Sequence, residues 1–484
     1  MSDAVRALEP KEIWENFADL NQVPRPSKKE ERVIQFMVDY GNKLGLETHR
    51  DKIGNVIIKK PATEGMEDRQ IVILQSHLDM VTQKNNDKEF DFDTQGIQML
   101  VDGDWVKADG TTLGADNGIG VATIMGILAS STIPHPAIEA MFTIDEETGM
   151  TGALELDPSF YEGRILLNLD TEDDDELSIG CAGGLDNNTF YKYEEEDTPA
   201  GVSSFKVNLK GLMGGHSGMD IHKGRGNANK LMARFLVDSP VNLHLHEFDG
   251  GGLRNAIPRE AVAIISVASG DVAKFKDYLK TTLSTFQAEY TPVEKDLTIV
   301  LEDTSTPDKM VATYDKNAML MTLNAVHNGV FKMSLKVADF VETSSSLARV
   351  IIKNGEFTTQ ALLRSGVEST KADVARAIRS TFELLGADVE QTGDYPSWEP
   401  NPDSAITKLM RDLYVEKYKE EPKVMACHAG LECGILGGHL HGLDMISFGP
   451  NIYGAHSPDE RVQISSVQRF WDYLLDVLKA IPTK

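Results

Sequence analysis

The chain has 484 residues, of which 41% are hydrophobic and 25% are charged, a composition typical of a globular protein with roughly two or three domains. Lys and Arg number 48 against 75 Asp and Glu, which gives a formal net charge of −27. Such a charge repels phosphate backbones and anionic lipids, so it argues against nucleic acid and membrane partners. The three cysteines are too few for a disulfide framework, and they predict a cytoplasmic protein.

The chain also lacks the sequence marks of export or membrane insertion. Residues 1–20 contain several acidic residues and no apolar segment of the kind found in secretory signals. No stretch approaches the ~18 uninterrupted apolar residues that a membrane helix needs. We therefore expect a protein without a leader or a membrane span.

In chain order, the first strong signal is a helix. The residues Ser-Lys-Lys-Glu at 27–30 match a capping box, and apolar residues spaced along one helix face follow until Gly45. Apolar runs then predict three buried strands and one intervening helix, at residues 71–75, 138–144 and 164–169 and at residues 119–129. Strands and helices in alternation predict an α/β sheet.

Two later stretches, near residues 191–201 and 393–403, have the composition of crossings between domains, with Pro, Gly and acidic residues. Between them, strands are predicted at residues 205–209 and 261–267 and helices at residues 229–237 and 272–286. The chain ends with a predicted strand at 445–448 and a helix at 467–481. We predict one α/β domain formed by residues 1–186 and 400–484, with a second α/β domain, residues 187–399, inserted in it.

Histidine and carboxylate side chains follow the ends of four predicted strands. They are His77 and Asp79 after residues 71–75, Glu146 and Glu147 after residues 138–144, Asp170 after residues 164–169, and His456 in a loop after residues 445–448. In open α/β sheets, ligands bind beyond the carboxyl ends of the strands. We therefore expect these side chains to meet at one edge of the sheet.

A further carboxylate, Asp116, lies in the glycine-rich turn at residues 112–120, which opens the predicted helix. A negative charge is favoured there by the helix dipole and the unpaired amides. Taken alone, Asp116 reads as an ordinary helix N-cap. The turn has no lysine after its glycines, so it does not match a phosphate-binding P-loop.

Five carboxylates meeting in one pocket would repel one another unless cations were bound. They are Asp79, Asp116, Glu146, Glu147 and Asp170. The four positive charges of two divalent ions would balance the negative charges of three of these carboxylates and of one bridging hydroxide. A mixture of carboxylate oxygen with imidazole nitrogen from His77 and His456 suits zinc, with cobalt or manganese in its place.

Six strings of residues resemble those of a known family, the dinuclear-metal peptidases related to carnosinase, aminoacylase and the folate-cleaving carboxypeptidase. The strings are SHLDM at 76–80, the turn at 112–120, DEETG at 145–149, GGHSG at 214–218, RNAIP at 254–258 and AHSP at 455–458. Three further strings resemble the bacterial branch that cleaves aminoacyl-histidine dipeptides, namely KPATEGME at 60–67, CAGG at 181–184 and HAGLECG at 428–434. The resemblance extends over nearly the whole chain.

The resemblance implies a zinc-peptidase-like catalytic domain, with a mixed sheet flanked by helices, and a lid and dimerisation domain at residues 187–399. The implied metal ligands are Asp116 as a bridge, His77 and Asp170 on one ion, and Glu147 and His456 on the other. Asp79 would hold the His77 imidazole by its second nitrogen. Glu146 would be the general base.

For the inserted domain, the resemblance implies substrate contacts. His216 would stabilise the developing oxyanion, acting from its own subunit or from the partner in a homodimer. Asn255 and Arg364 would hold the substrate carboxylate, Arg364 as a bidentate fork, and His428 would also contact substrate. Taken alone, His216 reads as a turn histidine and Arg364 as a solvated charge on a strand.

The implied activity is metal-dependent hydrolysis of dipeptides, including Xaa-His dipeptides such as carnosine, with Glu146 activating a water held by the metals. Two alternatives stay open, an N-acyl amino acid deacylase with the same chemistry and an inactive peptide-binding relative.

The resemblance also implies a strained or cis peptide between Asp116 and Asn117. The acidic run at residues 172–176 lacks the spacing of a calcium loop, so it predicts a solvated turn.

Overall fold

The structure, a computed structural model, describes residues 2–484, and Met1 lies outside the described residues. The chain divides into two compact units. The first unit comprises Met1–Gly180, Pro400–Ala426 and Leu431–Lys484, and the second comprises Cys181–Glu399 and Cys427–Gly430. The predicted division at residues 1–186, 187–399 and 400–484, with its lid role for the middle segment, stays a prediction.

Helices occur throughout the described residues. The α-helices are α1 Ser2–Arg6, α2 Lys11–Leu20, α3 Glu31–Lys43, α4 Ala115–Ala129, α5 Thr151–Leu154, α6 Ala228–Val237, α7 Val272–Tyr290, α8 Thr313–Ala325, α9 Glu368–Glu383, α10 Ala405–Tyr418, α11 Glu432–His439 and α12 Ile464–Ala480. Short 3₁₀ helices lie at Pro158–Phe160 and Ser269–Asp271. Across residues 2–484, no helix combines the length and the apolarity that crossing a membrane would take.

The strands of the described chain fall into larger and smaller sheets. They are β1 Glu47–Arg50, β2 Val56–Lys60, β3 Val72–His77, β4 Met99–Asp102, β5 Trp105–Ala108, β6 Ile138–Thr143, β7 Ile165–Asn168, β8 Glu176–Cys181, β9 Gly183–Lys192, β10 Glu195–Asp197, β11 Val202–Lys210, β12 Gly215–His216, β13 Leu243–Gly251, β14 Ala256–Ile257, β15 Ala261–Ala268, β16 Thr298–Asp303, β17 Lys309–Val311, β18 Gly329–Met333, β19 Val341–Lys353, β20 Glu356–Ser365, β21 Asp388–Tyr395, β22 Lys423–Cys427, β23 Asp444–Ser447, β24 Ile452–Tyr453 and β25 Arg461–Gln463. Every strand and helix predicted from the sequence lies on one of these elements, with shifts of a few residues at the ends.

The first unit is built on an eight-stranded sheet in the order β1-β2-β6-β3-β7-β23-β8-β22. The central strands β6, β3, β7 and β23 run parallel to one another, whereas β1, β2 and β8 pair antiparallel. Helices α3, α4 and α10 pack on the sheet, and β3, β6 and β7 are buried at every position. Parallel strands that are covered on both faces are rich in apolar residues. The predicted mixed sheet flanked by helices is confirmed.

Helix α4 packs closely because of its glycines. The helix is buried along nearly its whole length, so apolar or small side chains are needed all round it. A Cβ at Gly126 would lie 3.0 Å from the backbone oxygen of Glu12 in α2, which shows how closely the two backbones approach. The predicted helix at residues 119–129 is confirmed, although the structure begins it at Ala115.

Helix α3 confirms the first predicted helix but not its capping box. The helix begins at Glu31, and its N-cap Glu30 makes no side-chain capping hydrogen bond. Ser27 Oγ instead donates to Asp79 Oδ2 at 2.8 Å, and Glu30 Oε1 accepts the Lys28 amide at 2.8 Å. Ser27 therefore ties the segment before α3 to the segment after β3, a tertiary contact that local spacing does not reveal.

A small sheet in the first unit anchors the loop of residues 454–460, which carries His456. Its order is β24-β25-β5-β4. The strands on either side of the loop, β24 and β25, pair with each other, and β25 also pairs with β5. Both ends of the His456 loop are therefore held by main-chain hydrogen bonds.

The second unit contains a nine-stranded sheet in the order β16-β11-β15-β13-β19-β20-β9-β21, with β18 beside β19. Its pairs are antiparallel, because neighbours such as β19 and β20 are joined by hairpins rather than by crossover helices. Helices α6, α7 and α9 pack on the sheet. The core includes aromatic contacts such as Phe235 with Phe275, whose ring centroids are 5.9 Å apart.

Candidate metal centre

Three neighbouring parallel strands carry candidate ligands to one edge of the first unit's sheet. Strand β3 ends at His77, and Asp170 lies two residues beyond the end of β7. On the other side of β3, β6 is followed by Glu146 and Glu147. Because these strands are parallel, their carboxyl ends lie at the same edge.

His77, Asp116 and Asp170 form one group of potential ligands, with donor atoms that all lie within 4.8 Å of one another. His77 Nε2 is 3.2 Å from Asp116 Oδ1 and 3.5 Å from Asp170 Oδ1. Asp170 Oδ1 is buried and has no hydrogen-bond partner in the described part of the chain. A bound cation would satisfy this oxygen, whose burial is otherwise unfavourable.

Asp116, Glu147 and His456 form a second group under the same limit of 4.8 Å. His456 Nε2 is 3.3 Å from Asp116 Oδ2 and 3.0 Å from Glu147 Oε2. The other Glu147 oxygen, Oε1, is buried and lacks a hydrogen-bond partner among residues 2–484. Asp116 belongs to both groups through its two oxygens, so the structure brings the five expected ligands together around one shared carboxylate.

The acidic and imidazole groups at this centre have strongly shifted pKa values. Burial raises the pKa of Asp170 to about 6, and burial also raises the pKa of Glu146 well above its usual range. Hydrogen bonds to Asp116 and Glu147 raise the pKa of His456 to about 11. Without bound cations, a protonated imidazole would supply the positive charge that divalent ions would supply when bound. The set of imidazole nitrogens and carboxylate oxygens therefore fits zinc-like metals.

Asp79 is fully buried and orients its neighbours. Its Oδ1 lies 3.3 Å from His77 Nδ1. Its two oxygens also accept the amides of Glu146 at 3.1 Å and Glu147 at 3.3 Å, and the Ser27 hydroxyl donates to Oδ2 at 2.8 Å. Asp79 therefore lies where it would hold the His77 ring with Nε2 facing the candidate metal site, and its hydrogen bonds hold the turn after β6 in place.

The turn that carries Asp116 departs from helical geometry. Gly114 has a φ of 69°, a left-handed value that favours glycine. The Asp116–Asn117 peptide is cis, so the expectation of a strained or cis bond is confirmed. The Asp116 carboxylate faces His77 and His456, so the interpretation of Asp116 as an ordinary N-cap is wrong.

Within the second unit, His216 lies on β12 in a glycine-rich loop. Its Nδ1 accepts the N–H groups of Gly218 at 3.2 Å and Met219 at 3.0 Å. Burial and the nearby Arg364 guanidinium lower the pKa of His216. A neutral ring whose Nδ1 is an acceptor carries its proton on Nε2, so Nε2 is the donor.

Arg364 is 5% exposed, so the interpretation of a solvated charge is wrong. Its Nη1 donates to Tyr395 Oη at 2.9 Å, and its Nη2 is 3.5 Å from His216 Nε2. His428 is buried, and its Nε2 lies 2.7 Å from Ser344 Oγ. Burial and the nearby Arg364 lower the pKa of His428 to about 3. A buried guanidinium beside two neutral imidazoles suits the binding of a carboxylate.

The backbone of Asn255 is close to the segment that carries His216. Its carbonyl oxygen accepts the Ser217 amide at 2.9 Å, and the next residue, Ala256, pairs with His216 between β14 and β12. Asn255 itself is exposed. The structure thus brings three of the expected substrate contacts, His216, Arg364 and His428, into one cluster and leaves Asn255 at its border.

Sequence reasoning missed three charged residues around the metal centre. Glu460 and Arg25 are each 2% exposed. The sequence gives one signal for Glu460, its position in the loop that carries His456, and none for Arg25. Glu172 is the third. It is half-buried, and burial and the nearby Asp116 raise its pKa to about 8, so Glu172 is less solvated than the predicted acidic turn implies.

Comparison with known proteins gives consistent results. The model of peptidase family M20/M25/M40 matches residues 73–480. The cytosol non-specific dipeptidase of Escherichia coli strain K12 is 42% identical over 479 residues, 99% of this chain and 99% of that protein. The crystal structure of aminoacylhistidine dipeptidase from Vibrio alginolyticus is 43% identical and covers 100% of both chains with a TM-score of 0.94. Aminopeptidase PepT of Bacillus cereus shares the fold, with a TM-score of 0.56 and 16% identity over 98% of this chain and 99% of that chain.

Proposed function

Since the chain belongs to peptidase family M20/M25/M40, we propose that it hydrolyses dipeptides with two bound divalent metal ions. The observation that carries this proposal is the pair of ligand groups that share Asp116. The names of the Escherichia coli and Vibrio alginolyticus relatives support dipeptides as substrates. The second name also supports Xaa-His dipeptides such as carnosine.

The two cations divide the ligands between them. His77, Asp116 and Asp170 would hold one ion, and Asp116, Glu147 and His456 would hold the other. The buried oxygens of Asp170 and Glu147 that lack hydrogen-bond partners in the described chain support this division. When bound, the ions would polarise the substrate carbonyl and lower the pKa of water. We propose zinc, and the donor set also suits cobalt or manganese.

Glu146 is the general base in this proposal. Its carboxylate takes a proton from the attacking water and later gives that proton to the nitrogen of the leaving amino acid. Donor atoms of Glu146, His77 and Glu147 lie within 4.8 Å of one another, which supports a base beside the proposed ligands. Asp79 keeps the His77 ring in the orientation that this arrangement needs.

Four residues of the second unit have substrate-binding roles in this proposal. His216 donates from Nε2 to the carbonyl oxygen as negative charge develops on it. Arg364 binds the carboxylate of the C-terminal residue through its planar fork, and the Tyr395 hydroxyl at 2.9 Å orients that fork. Asn255 and His428 contribute further polar contacts to the substrate.

We also propose a homodimer in the cytoplasm, with residues 187–399 as its lid and dimerisation domain. The family resemblance supports the dimer, and the name of the Escherichia coli relative supports the compartment. Light scattering during gel filtration measures the mass directly. We expect twice the chain mass of 53.3 kDa, and a mass of one chain would contradict the dimer.

The proposed activity is tested by metal analysis together with a substrate panel. The purified chain is loaded with zinc, its bound metal is measured by mass spectrometry, and hydrolysis is followed for Xaa-His dipeptides, other dipeptides and N-acetyl amino acids. We expect two ions per chain and cleavage of the dipeptides. Cleavage confined to N-acetyl amino acids would indicate a deacylase, and metal binding without turnover would indicate an inactive peptide-binding protein.

A further inference from the structure

A carboxylate on the loop at residues 454–460 holds the turn that carries Asp116. Glu460 accepts four consecutive backbone N–H groups through its two side-chain oxygens. The distances are 2.7 Å from Leu113 and 3.0 Å from Gly114 to Oε2, and 2.7 Å from Ala115 and 3.3 Å from Asp116 to Oε1. Glu460 is 2% exposed, so these amides are satisfied by a protein group rather than by bulk water.

A buried guanidinium binds the same turn through a carbonyl group. Arg25 Nη2 donates to the Gly114 oxygen at 2.6 Å. Its Nη1 donates to the backbone carbonyl oxygens of Leu78 at 3.1 Å and Asp79 at 3.0 Å. These two residues directly follow the last residue of β3. Gly114 is therefore held on both sides, at its N–H by Glu460 and at its C=O by Arg25.

The glycines of this turn leave room for the Arg25 guanidinium. A Cβ at Gly114 would lie 2.5 Å from Arg25 Nη2, and a Cβ at Gly118 would lie 2.6 Å from the same atom. Both distances are shorter than any real contact between these atoms. The glycine-rich string thus has a structural purpose, since it lets a charged side chain lie directly against the backbone.

We propose that Glu460 and Arg25 are positioning residues that set the Asp116 carboxylate between its two groups of ligands. Together they join three segments that each carry a candidate ligand, namely the end of β3, the turn at residues 112–120 and the loop at residues 454–460. Neither side chain belongs to a ligand group found in the described chain, so both act through the backbone of other residues. The inference rests on the proposed metal centre.

The test is metal affinity, measured without reference to turnover. Glu460→Gln keeps the shape of the side chain but replaces one acceptor oxygen with an N–H donor that faces backbone N–H groups. Metal-free protein is titrated with Co²⁺ by calorimetry. We expect the affinity of both ions to fall by about 10–100-fold in Glu460→Gln, because Asp116 belongs to both groups. His456→Ala should weaken mainly the one ion that His456 would ligate.

Glu139→Gln is the matched control. Glu139 is 4% exposed and accepts the amides of Glu162 and Gly163, each at 3.0 Å, but it belongs to no ligand group among the described residues. We expect Glu139→Gln to lose a similar amount of stability yet bind Co²⁺ as the wild type does. The visible absorption of the cobalt-saturated protein should change in Glu460→Gln and stay unchanged in the control.

The outcomes separate this inference from the proposed function. If Glu460→Gln fails to fold, as judged by circular dichroism, then Glu460→Asp and Arg25→Lys carry the same test. Wild-type Co²⁺ affinity and a wild-type spectrum in the folded variants would overturn the inference and leave the proposed function intact. An equal loss of Co²⁺ affinity in Glu139→Gln would do the same. If the wild type itself binds no Co²⁺, the inference and the metal centre fall together.

Discussion

Asp116 and Asp170 differ in pKa although they lie in the same group of potential ligands. Hydrogen bonds from His456 and His77 lower the pKa of Asp116 against the effect of burial, whereas burial raises the pKa of Asp170 to about 6. The difference follows from the number of imidazole donors that each carboxylate faces. Divalent ions would stabilise the charged form of both carboxylates and the neutral form of both imidazoles, which is the state needed for coordination.

Glu146 provides the most direct test of the chemistry at the residue scale. Glu146→Gln keeps the side-chain volume and removes the proton acceptor, so we expect kcat for dipeptides to fall by about 10²–10⁴-fold. Bound metal should stay at the wild-type stoichiometry, because Glu146 is not one of the proposed ligands. Steady-state kinetics and metal analysis measure the two quantities. Near-normal turnover with full metal occupancy would remove Glu146 from the role of base.

Arg364 provides a test of substrate recognition. Arg364→Lys keeps the charge but loses the fork that matches a carboxylate. We expect kcat/KM for a dipeptide to fall by roughly 10–100-fold, since hydrogen bonds to charged groups contribute about 1.5–3 kcal/mol. The preference of the wild type for a dipeptide over the corresponding dipeptide amide should shrink by the same factor.

Arg349→Lys is the control for the Arg364 variant. Arg349 lies on β19 of the same sheet and donates to the oxygen of Gly251 at 2.7 Å, within a cluster that also contains Asp249. We expect this variant to keep the preference for the free carboxylate. An unchanged preference in Arg364→Lys would assign the carboxylate contact to another residue.

At the scale of elements, the strand ends and the glycines of α4 decide where the chemistry is placed. Apolar runs in the sequence predicted β3, β6 and β7, and their order in the sheet puts the residues that follow them side by side. The predicted capping box at residues 27–30 is not formed in the structure. Its spacing matches a capping box, but Ser27 finds its partner in Asp79, 52 positions away, because the fold brings a stronger acceptor within reach.

Two helical glycines test close packing at this scale. A Cβ at Gly126 in α4 would lie 3.0 Å from the Glu12 oxygen, whereas a Cβ at Gly438 in α11 would meet nothing within 4 Å. We expect Gly126→Ala to lower the free energy of unfolding by about 1–3 kcal/mol through overpacking. Gly438→Ala should raise it by about 0.5–1 kcal/mol, because alanine favours the helix. Urea denaturation measures both, and equal effects would refute the packing argument.

At the scale of the whole molecule, the proposed metal centre brings together candidate ligands from His77 to His456 within the first unit. Removal of the ions leaves buried carboxylates whose repulsion is no longer offset. We expect a chelator to lower the Tm by roughly 5 °C, since each of the two ions at a hundred times its Kd stabilises by about 2.7 kcal/mol. Added zinc should restore the Tm. Identical melting curves with and without chelator would contradict a bound metal.

The sequence by itself determined the fold class, the places of the main strands and helices and the identity of the candidate ligands. Hydrophobic periodicity is a local property, and the polar residues that follow strands are visible as soon as the strands are. The family strings added the expected pairing of ligands around Asp116. All of these features depend on residues that are close in sequence or on spacing that a family preserves.

Only the tertiary structure decided how the Asp116 carboxylate is held. The amides that Glu460 accepts lie 344 to 347 positions earlier in the chain, and Arg25 reaches the same turn across 89 positions. No local pattern encodes such contacts, because a buried charge is favourable only where the fold supplies enough hydrogen-bond partners. The same reason explains why Arg364 reads as solvated in the sequence and is buried in the folded chain.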